Sequence, residues 1–253
     1  MPPPIEFAPH SAVILLSGGL DSATCLALAL ARGRDCRTIS FDYGQRHRHE
    51  LAAAAALSPG LGAAHHLVVP VGLGAIGGSA LTDPGIAVPT AAARVGASPI
   101  PTTYVPARNL IFLALATAYA ETAGASEIWI GANAVDYSGY PDCREPFLRA
   151  FERTAAIGTR AGIRPDGTAA IRVVAPLVHL SKAEIIRVGA SLGVDFGLTR
   201  SCYDPQITAD GKFFACGRCE SCAIRRAGFL AAGIEDTTVY APDLAHPQGA
   251  AHG

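Results

Sequence analysis

The fold is decided by a stretch near the N-terminus, which reads Ala12-Val13-Ile14-Leu15-Leu16-Ser17-Gly18-Gly19-Leu20-Asp21-Ser22. Its first five residues are apolar, as in a buried strand, and a helical pattern follows Ser22 as far as Ala31. A strand, a glycine turn and a helix start together form an anion cradle, because glycines let the backbone approach ligand oxygens and the first helical amides point outward. An ordinary capped turn uses similar residue types, but the two flanking serines and the aspartate favour binding of a phosphate group.

Two common nucleotide loops do not fit this stretch. A Walker loop needs a lysine on the outer phosphates, but the chain has only Lys182 and Lys212, and neither stands in that pattern. The dinucleotide fingerprint G-x-G-x-x-G does not follow the first strand either. The segment instead resembles the SGGxDS loop of ATP pyrophosphatases (PP-loop enzymes), which split ATP between its α and β phosphates and pass AMP to an acceptor. This resemblance predicts that ATP binds to Leu16, Ser17, Gly18, Gly19, Leu20, Asp21 and Ser22. Within this loop, Asp21 is also a candidate Mg²⁺ ligand.

Bulk composition is typical of a folded, soluble enzyme. The chain has 253 residues, of which 50% are hydrophobic and 16% charged, and its formal net charge is −1. That charge argues against a nucleic-acid partner, which usually shows as a basic excess. The start Met1-Pro2-Pro3-Pro4 lacks the features of a signal peptide, and no apolar run approaches the roughly 20 residues that cross a bilayer. We therefore expect no membrane association and a cytoplasmic location.

Short apolar runs alternate with helical patterns, which is typical of parallel βαβ units. We expect an α/β fold, an open parallel five-stranded sheet flanked by helices. Ligands of such sheets bind at the carboxyl ends of the strands, where the turns 17–22, 42–49 and 131–144 lie. The predicted strands are Ala12–Leu16, Arg37–Phe41, His66–Val69, Glu127–Ile130 and Arg172–Val174. The predicted helices are Ser22–Ala31, His49–Leu57, Asn109–Ala123, Glu145–Ile157 and Ser181–Leu192, the last opening with an S-x-x-E capping box.

The chain divides into four predicted parts. Residues 11–195 form an ATP-binding α/β domain, and residues 196–240 form a small C-terminal subdomain with four cysteines. Residues 1–10 and 241–253 are predicted tails. A Gly-, Ala- and Pro-rich insertion at about 72–103 has no clear period, and a connection this long is usually a lid, an interface element or a disordered segment.

Four of the seven cysteines lie close together in the sequence: Cys202, Cys216, Cys219 and Cys222. Four thiolates are the composition of a closed tetrahedral zinc site, whose role is structural because no position stays open for water. An iron–sulfur cluster also accepts four thiolates and remains the alternative metal centre. A reactive dithiol would use only Cys219 and Cys222. We interpret Cys25 and Cys36 as buried apolar residues, and Cys143, inside a polar turn, as a residue near a ligand.

Several further segments resemble the 7-cyano-7-deazaguanine (preQ0) synthase family of queuosine biosynthesis. They are Phe41–His47, Val105–Asn109, Asp136–Arg144 and Ser201–Tyr203 with the cysteine run that follows. The likeness extends from about Ala12 to Arg226. It implies a Rossmann-like fold of the adenine-nucleotide α-hydrolase type and ATP-dependent conversion of 7-carboxy-7-deazaguanine and ammonia to the nitrile, by adenylation of the carboxylate. It also implies that the four cysteines bind zinc and that the enzyme is a homodimer.

Further site residues are hypotheses drawn from these segments. Arg46, Arg108 and Arg144 are candidates to neutralise phosphate or the substrate carboxylate, since a guanidinium binds either group bidentately. Candidates to bind the deazaguanine are Tyr43, Gln45, Asp136, Tyr137 and Asp142. The competing interpretations are solvated surface charge for the arginines and aspartates, and core packing for the tyrosines. His47 and His49 flank a helix start, where capping or exposure is favoured over a general-base role.

The chain also departs from the family pattern. Leu20 stands where glutamine is common, and Ala107 replaces a more usual glycine. The spacer Tyr203–Ala215 is long, and its Phe213-Phe214 pair predicts an added hairpin over the metal site.

Two other functions, and a variant of the first, fit parts of the same sequence. A tRNA-thiolating PP-loop enzyme would carry an iron–sulfur cluster on the cysteines. A non-catalytic, zinc-stabilised module would bind nucleotide without turnover. A related enzyme would pass the activated deazaguanine acid to another amine.

Overall fold

The computed structural model describes residues 8–91, 100–133, 140–164 and 166–242. Seven strands lie in these ranges: β1 (Ala8–Leu15), β2 (Asp35–Asp42), β3 (His65–Pro70), β4 (Ala125–Ile130), β5 (Arg172–Val174), β6 (Gln206–Ile207) and β7 (Phe213–Phe214). The α-helices of the same ranges are α1 (Leu20–Ala31), α2 (His49–Leu61), α3 (Arg108–Ala123), α4 (Glu145–Gly158), α5 (Lys182–Ser191) and α6 (Glu220–Ala232).

Five strands form one sheet in the order β3-β2-β1-β4-β5, and every neighbouring pair is parallel. The predicted fold class is therefore confirmed. The chain first builds the sheet outward from β1 and then returns to the other side of β1, so the order reverses between β1 and β4. Their carboxyl ends form the switch point at which ligands of such sheets bind. One boundary differs from expectation: β1 begins at Ala8, inside the range predicted as a tail.

The apolar run of β1 is continuous because both faces of the sheet are covered. Val13 and Leu15 face a core that is shared with α3, whereas Ile14 and Leu16 face the core beneath α1 and α5. Side chains alternate between faces along a strand, so one stretch of five apolar residues supplies both cores. The capping box at Ser181 and Glu184 is confirmed and starts α5.

The sequence patterns did not predict α6, which packs closely on α5. A methyl group at Gly228 would lie 2.4 Å from the Lys182 Cγ, so the contact between the two helices depends on glycine there. Phe229 of α6 is buried, and its ring meets that of Phe196 at 5.3 Å between centroids. Both rings belong to the core beneath α1. The hairpin predicted from Phe213 is present as the antiparallel pair β6–β7.

The described parts of the long connection between β3 and α3 pack against the cysteine end of the chain. Thr90 forms a bridge with Cys219, and the Ala91 amide donates to the Arg218 carbonyl at 3.0 Å. Residues 92–99 of the predicted insertion lie outside the described residues. Within the ranges that are described, none of the helices combines the length and hydropathy required to cross a bilayer.

Candidate active site

The turn between β1 and α1 is held in a cradle shape by its serines. The Ser22 hydroxyl accepts from the Ser17 amide at 3.1 Å and donates to the Gly19 carbonyl at 3.0 Å, and the two hydroxyls lie 3.0 Å apart. Gly19 is the N-cap of α1 and offers no side-chain cap. The first amides of the helix are thus left for a ligand, and the helix dipole favours an anion there.

Gly18 is required by both conformation and space. Its φ is 86°, in the left-handed region, and a methyl group there would lie 2.1 Å from the backbone oxygen of Glu50. Gly131, after β4, has a similar constraint, since a methyl group would lie 3.0 Å from the Asp21 carbonyl. The loop between β1 and α1 therefore packs closely against the first turn of α2 on one side and against the end of β4 on the other.

A lysine distant in sequence reaches this loop. Lys182, at the first position of α5, donates to both carboxylate oxygens of Asp21 at 2.7 Å. The lysine is 5% exposed. Lys182 was not a predicted site residue because it lies in no Walker pattern, and its partner Asp21 is 161 residues away in the sequence. The structure thus places a cation beside the phosphate cradle, as a Walker lysine would be, but on another helix.

A cavity of about 220 Å³ opens at the switch point. The predicted site residues that line it are Leu16, Ser17, Gly19, Leu20, Asp21, Ser22, Tyr43 and Arg108. Other lining residues were not predicted to act at the site: His47, Glu50, Lys182, Arg200 and Tyr203. The predicted substrate residues Asp136 and Tyr137 lie outside the described residues.

Arg108 and Tyr43 form one wall of the cavity. Burial raises the pKa of Tyr43 and the negative charge of Glu50 raises it further, while the Arg108 guanidinium beside it acts in the opposite direction. The hydroxyl is therefore a neutral hydrogen-bonding group at neutral pH. Ala107, directly before Arg108, has a φ of 54°, a left-handed conformation that glycine adopts more readily. This strained turn starts α3 and delivers the arginine to the cavity.

Five of the predicted residues that the structure describes do not line the cavity: Gly18, whose position in the loop is given above, and the four that follow. Arg46 is exposed and donates to the carbonyls of Ala80 and Ile86, at 3.5 and 3.1 Å, so it fastens the long connection. Gln45 is buried, accepts from the Tyr43 amide at 2.8 Å and stabilises the loop after β2.

The other two lie at helix starts. Asp142 accepts from the Asn109 amide at 2.9 Å and so binds a first-turn amide of α3. Arg144 is exposed and is the residue before α4. Neither residue lines the cavity, and their contacts with phosphate or substrate stay predictions.

Cys143 lines the cavity as a protonated thiol. Burial raises its pKa to about 11, and the neighbouring Asp142 charge adds to that shift. Its sulfur accepts a hydrogen bond from the Asn109 side chain at 3.3 Å. The expectation that Cys143 lies near a ligand site agrees with this position, but the thiol is too weakly acidic to act as a nucleophile at neutral pH.

The four C-terminal cysteines converge, with their sulfurs all within 4.8 Å of one another. Two backbone amides donate to sulfurs, from Cys216 to Cys202 at 3.1 Å and from Cys219 to Cys216 at 3.3 Å. In a tetrahedral zinc site with bonds of about 2.3 Å, neighbouring sulfurs lie about 3.8 Å apart. The sulfurs of Cys216 and Cys222 are 4.0 Å apart, so the cluster fits a single ion.

One segment connects the cysteine cluster to the phosphate loop. The Arg200 amide, two residues before Cys202, donates to the Gly18 carbonyl at 2.8 Å. The Tyr203 ring, directly after Cys202, lies 5.8 Å from the His47 ring. A metal that fixes Cys202 therefore also fixes one side of the cavity.

Comparison with known proteins gives a consistent result. Residues 11–233 match the family model described as "Queuosine biosynthesis protein QueC". The chain is 59% identical to 7-cyano-7-deazaguanine synthase of Thiobacillus denitrificans, over 91% of this chain and 98% of that protein. It is 57% identical to proteins of the same name from an Anaeromyxobacter species and Azotobacter vinelandii, over 90% of this chain and 95% and 97% of theirs.

Proposed function

Because the chain belongs to the QueC family, we propose that it converts 7-carboxy-7-deazaguanine and ammonia to 7-cyano-7-deazaguanine with ATP. The observation that carries this proposal is the loop from Ser17 to Ser22 with Lys182 bound to its Asp21. This loop lines the same cavity as Arg108 and Tyr43. The loop proposed to bind ATP and the wall proposed to bind the acid thus line one cavity.

The reaction needs activation because a carboxylate has no good leaving group. A carboxylate oxygen attacks the α phosphorus, and pyrophosphate leaves. Ammonia then attacks the acyl carbon, AMP leaves with the carboxylate oxygen, and an amide forms. Adenylation of the amide oxygen by a second ATP, followed by loss of AMP and a proton, gives the nitrile.

The residues of this chain take part through charge and position. The first amides of α1, together with Ser17 and Ser22, are placed to hold the leaving pyrophosphate. Lys182 neutralises Asp21 and is placed to pair with phosphate oxygens of bound ATP. Arg108, on the opposite wall, is the candidate to bind the substrate carboxylate, and Tyr43 lines the same wall.

The proposal assigns two metal ions to different places. The four cysteines fit one zinc ion with no open position, which stabilises the C-terminal end. In a 4Fe–4S cluster each cysteine binds a different iron, so its four cysteine sulfurs lie farther apart than the four sulfurs here. Asp21 is the candidate for Mg²⁺, which would screen the phosphate charges.

The alternatives differ in products and colour. A tRNA-thiolating enzyme would be brown and would bind tRNA tightly, and the net charge of −1 does not favour it. A binding module would release no pyrophosphate. Pyrophosphate release that requires both the deazaguanine acid and ammonium supports the synthase, whereas release that needs tRNA, or no release, overturns it. A homodimer and a cytoplasmic location stay predictions.

A further inference from the structure

The cysteine end of the chain contributes two serines to the cavity, and the reaction above gives neither of them a role. Ser201 comes directly before Cys202, and Ser221 comes directly before Cys222. Both serines line the cavity. The two cysteines belong to the cluster of four converging sulfurs, so a metal bound there would also fix the positions of the serines.

The Ser221 hydroxyl has no hydrogen-bond partner among the described residues, although Ser221 is only 4% exposed. Most side-chain polar atoms that are buried to this degree do have a partner. The oxygen is not one of the fully enclosed polar atoms that lack a partner, so it is open to the cavity that Ser221 lines. A buried hydroxyl that opens onto a cavity is placed to bond with a ligand there.

Ser201 brings a second hydroxyl to the loop between β1 and α1. A methyl group at Gly19 would lie 3.7 Å from the Ser201 Oγ and 3.7 Å from the Arg200 carbonyl oxygen. Gly19 is the N-cap of α1, so Ser201 lies beside the first amides of that helix. Its hydroxyl also has no partner within the described ranges, whereas the hydroxyls of Ser17 and Ser22 bond within the loop itself.

Ser221 reaches the same region from α6. It is the second residue of that helix and lies about two turns before Gly228, so the two residues share one face of the helix. That face packs on Lys182, which is bonded to Asp21 of the loop between β1 and α1. The start of α6 therefore lies at the cavity, as the start of α1 does.

The charge at this place favours an anion. The dipole of α6 puts partial positive charge at the start of the helix, where the N-cap Cys219 forms no side-chain cap. Arg200 also lines the cavity. Its guanidinium donates to the carbonyls of Gly197 and Thr199 and forms no ion pair with the described carboxylates. One helix start offers only four open amides, and a pyrophosphate group has two phosphates to hold.

We propose that Ser201 and Ser221 bind the terminal phosphate of ATP, so that the pyrophosphate leaving group is held between the starts of α1 and α6. The inference rests on the proposed function. The two hydroxyls donate to oxygens of the terminal phosphate, while the first amides of α1 bind the phosphate next to the reacting α phosphorus. Neither serine exchanges a proton or forms a covalent bond. The bond from the α phosphorus to the bridging oxygen breaks, and pyrophosphate keeps that oxygen and the electron pair.

The test compares the binding of pyrophosphate and of AMP, each with Mg²⁺, to the full-length, zinc-loaded protein by isothermal titration calorimetry. Pyrophosphate contains the terminal phosphate of ATP, and AMP does not. The variants are Ser221→Ala, Ser201→Ala and the double variant. Ser126→Ala is the matched control, because Ser126 is 3% exposed but lies near the start of β4, at the edge of the sheet opposite the cavity. Its hydroxyl donates to the Ala8 carbonyl at 3.1 Å.

We expect each single variant to raise the Kd for pyrophosphate about tenfold, the loss of one hydrogen bond to a charged group, and the double variant about a hundredfold. The Kd for AMP should stay within about twofold of the wild type. Neither substitution removes a hydrogen bond between described residues, so zinc content and melting temperature should not change. Ser126→Ala should lower the melting temperature, because a bond is lost, and should bind pyrophosphate as the wild type does.

Other results overturn the inference. An unchanged pyrophosphate Kd in the double variant refutes the site, and so does a wild type that binds no pyrophosphate. Equal losses for pyrophosphate and AMP, or weaker binding together with loss of zinc, would show that the serines only shape the cavity. If Ser221→Ala does not fold, the half-buried Ser201 decides the matter through Ser201→Ala. Absence of acid-dependent exchange of pyrophosphate into ATP in the wild type instead contradicts the proposed function.

Discussion

Replacing Gly18 by alanine should disturb the loop between β1 and α1 in two ways, by straining the backbone and by placing a methyl group against the Glu50 backbone oxygen. The positive φ alone costs about 1–2 kcal/mol for a residue with a Cβ. The added methyl group would also lie 2.1 Å from the Glu50 backbone oxygen, so loop and helix must separate by about 1 Å to reach an ordinary contact. A displacement of about 1 Å at a reacting centre can reduce a rate about a hundredfold.

Gly33→Ala is the matched control. Gly33 lies in the turn between α1 and β2 with a φ of 72°, and a methyl group there would meet nothing within 4 Å. Both variants therefore carry the strain, and only Gly18→Ala carries the collision. We expect Gly33→Ala to lower the free energy of unfolding by about 1 kcal/mol with normal pyrophosphate exchange. Gly18→Ala should lose about 2–4 kcal/mol and at least a hundredfold in exchange. Equal stability and equal exchange in the two variants would refute the assigned loop.

Three further predictions concern other parts of the molecule. Asp21→Ala and Lys182→Met should each abolish AMP formation while zinc content, read by atomic absorption, stays at the wild-type level; retained turnover would contradict the position assigned to this pair. Cys219→Ser should yield insoluble or unfolded protein, because the binding free energy of a structural zinc is folding free energy, and a soluble, active, metal-free variant would contradict that. Burial acts to raise the pKa of Glu127, but its bonds to Arg34 and Trp129 outweigh burial and lower it. A lowered folded-state pKa gives stability that is present above the unfolded value, about 4.3, and is lost as pH falls through the folded value. The stability gap between wild type and Glu127→Gln in urea denaturation should therefore narrow at acid pH, and a gap that widens there would be inconsistent with this ion pair.

The features of the fold that depend on residues close together in the chain could be predicted from the sequence. The continuous apolar run of β1 predicts a strand buried on both faces, and the structure shows one core on each side of it. The cradle from Ser17 to Ser22 could be predicted because two serines and an aspartate flank the glycine turn before a helix. The cysteine spacing likewise predicts convergence on one ion, and the sulfurs do converge.

The missed site residues are those brought to the cavity from a distance or from a helix face. Lys182 lies within a capping-box helix and resembles a solvated residue, yet the close approach of α6 at Gly228 buries it against Asp21. Glu50 has the pattern of an exposed helix start. Neither position is recognisable without the tertiary contacts.

Some charged residues in conspicuous motifs, by contrast, lie outside the lining of the cavity. Arg46 and Asp142 stand in the segments that carry the family resemblance, and so were candidates for ligand contact. In the structure Arg46 fastens the long connection and Asp142 accepts from the first turn of α3. A residue of such a motif can thus stabilise a loop or a helix start without lining the cavity.

The central claim is that the loop between β1 and α1 holds ATP for transfer of AMP to a deazaguanine acid in the same cavity. The most direct measurement is mass spectrometry of the products after incubation with ATP, ammonium and 7-carboxy-7-deazaguanine. The account predicts AMP, pyrophosphate and a product with the mass of the nitrile, each dependent on the acid. Formation of ADP, or of no product with every reactant present, would contradict it.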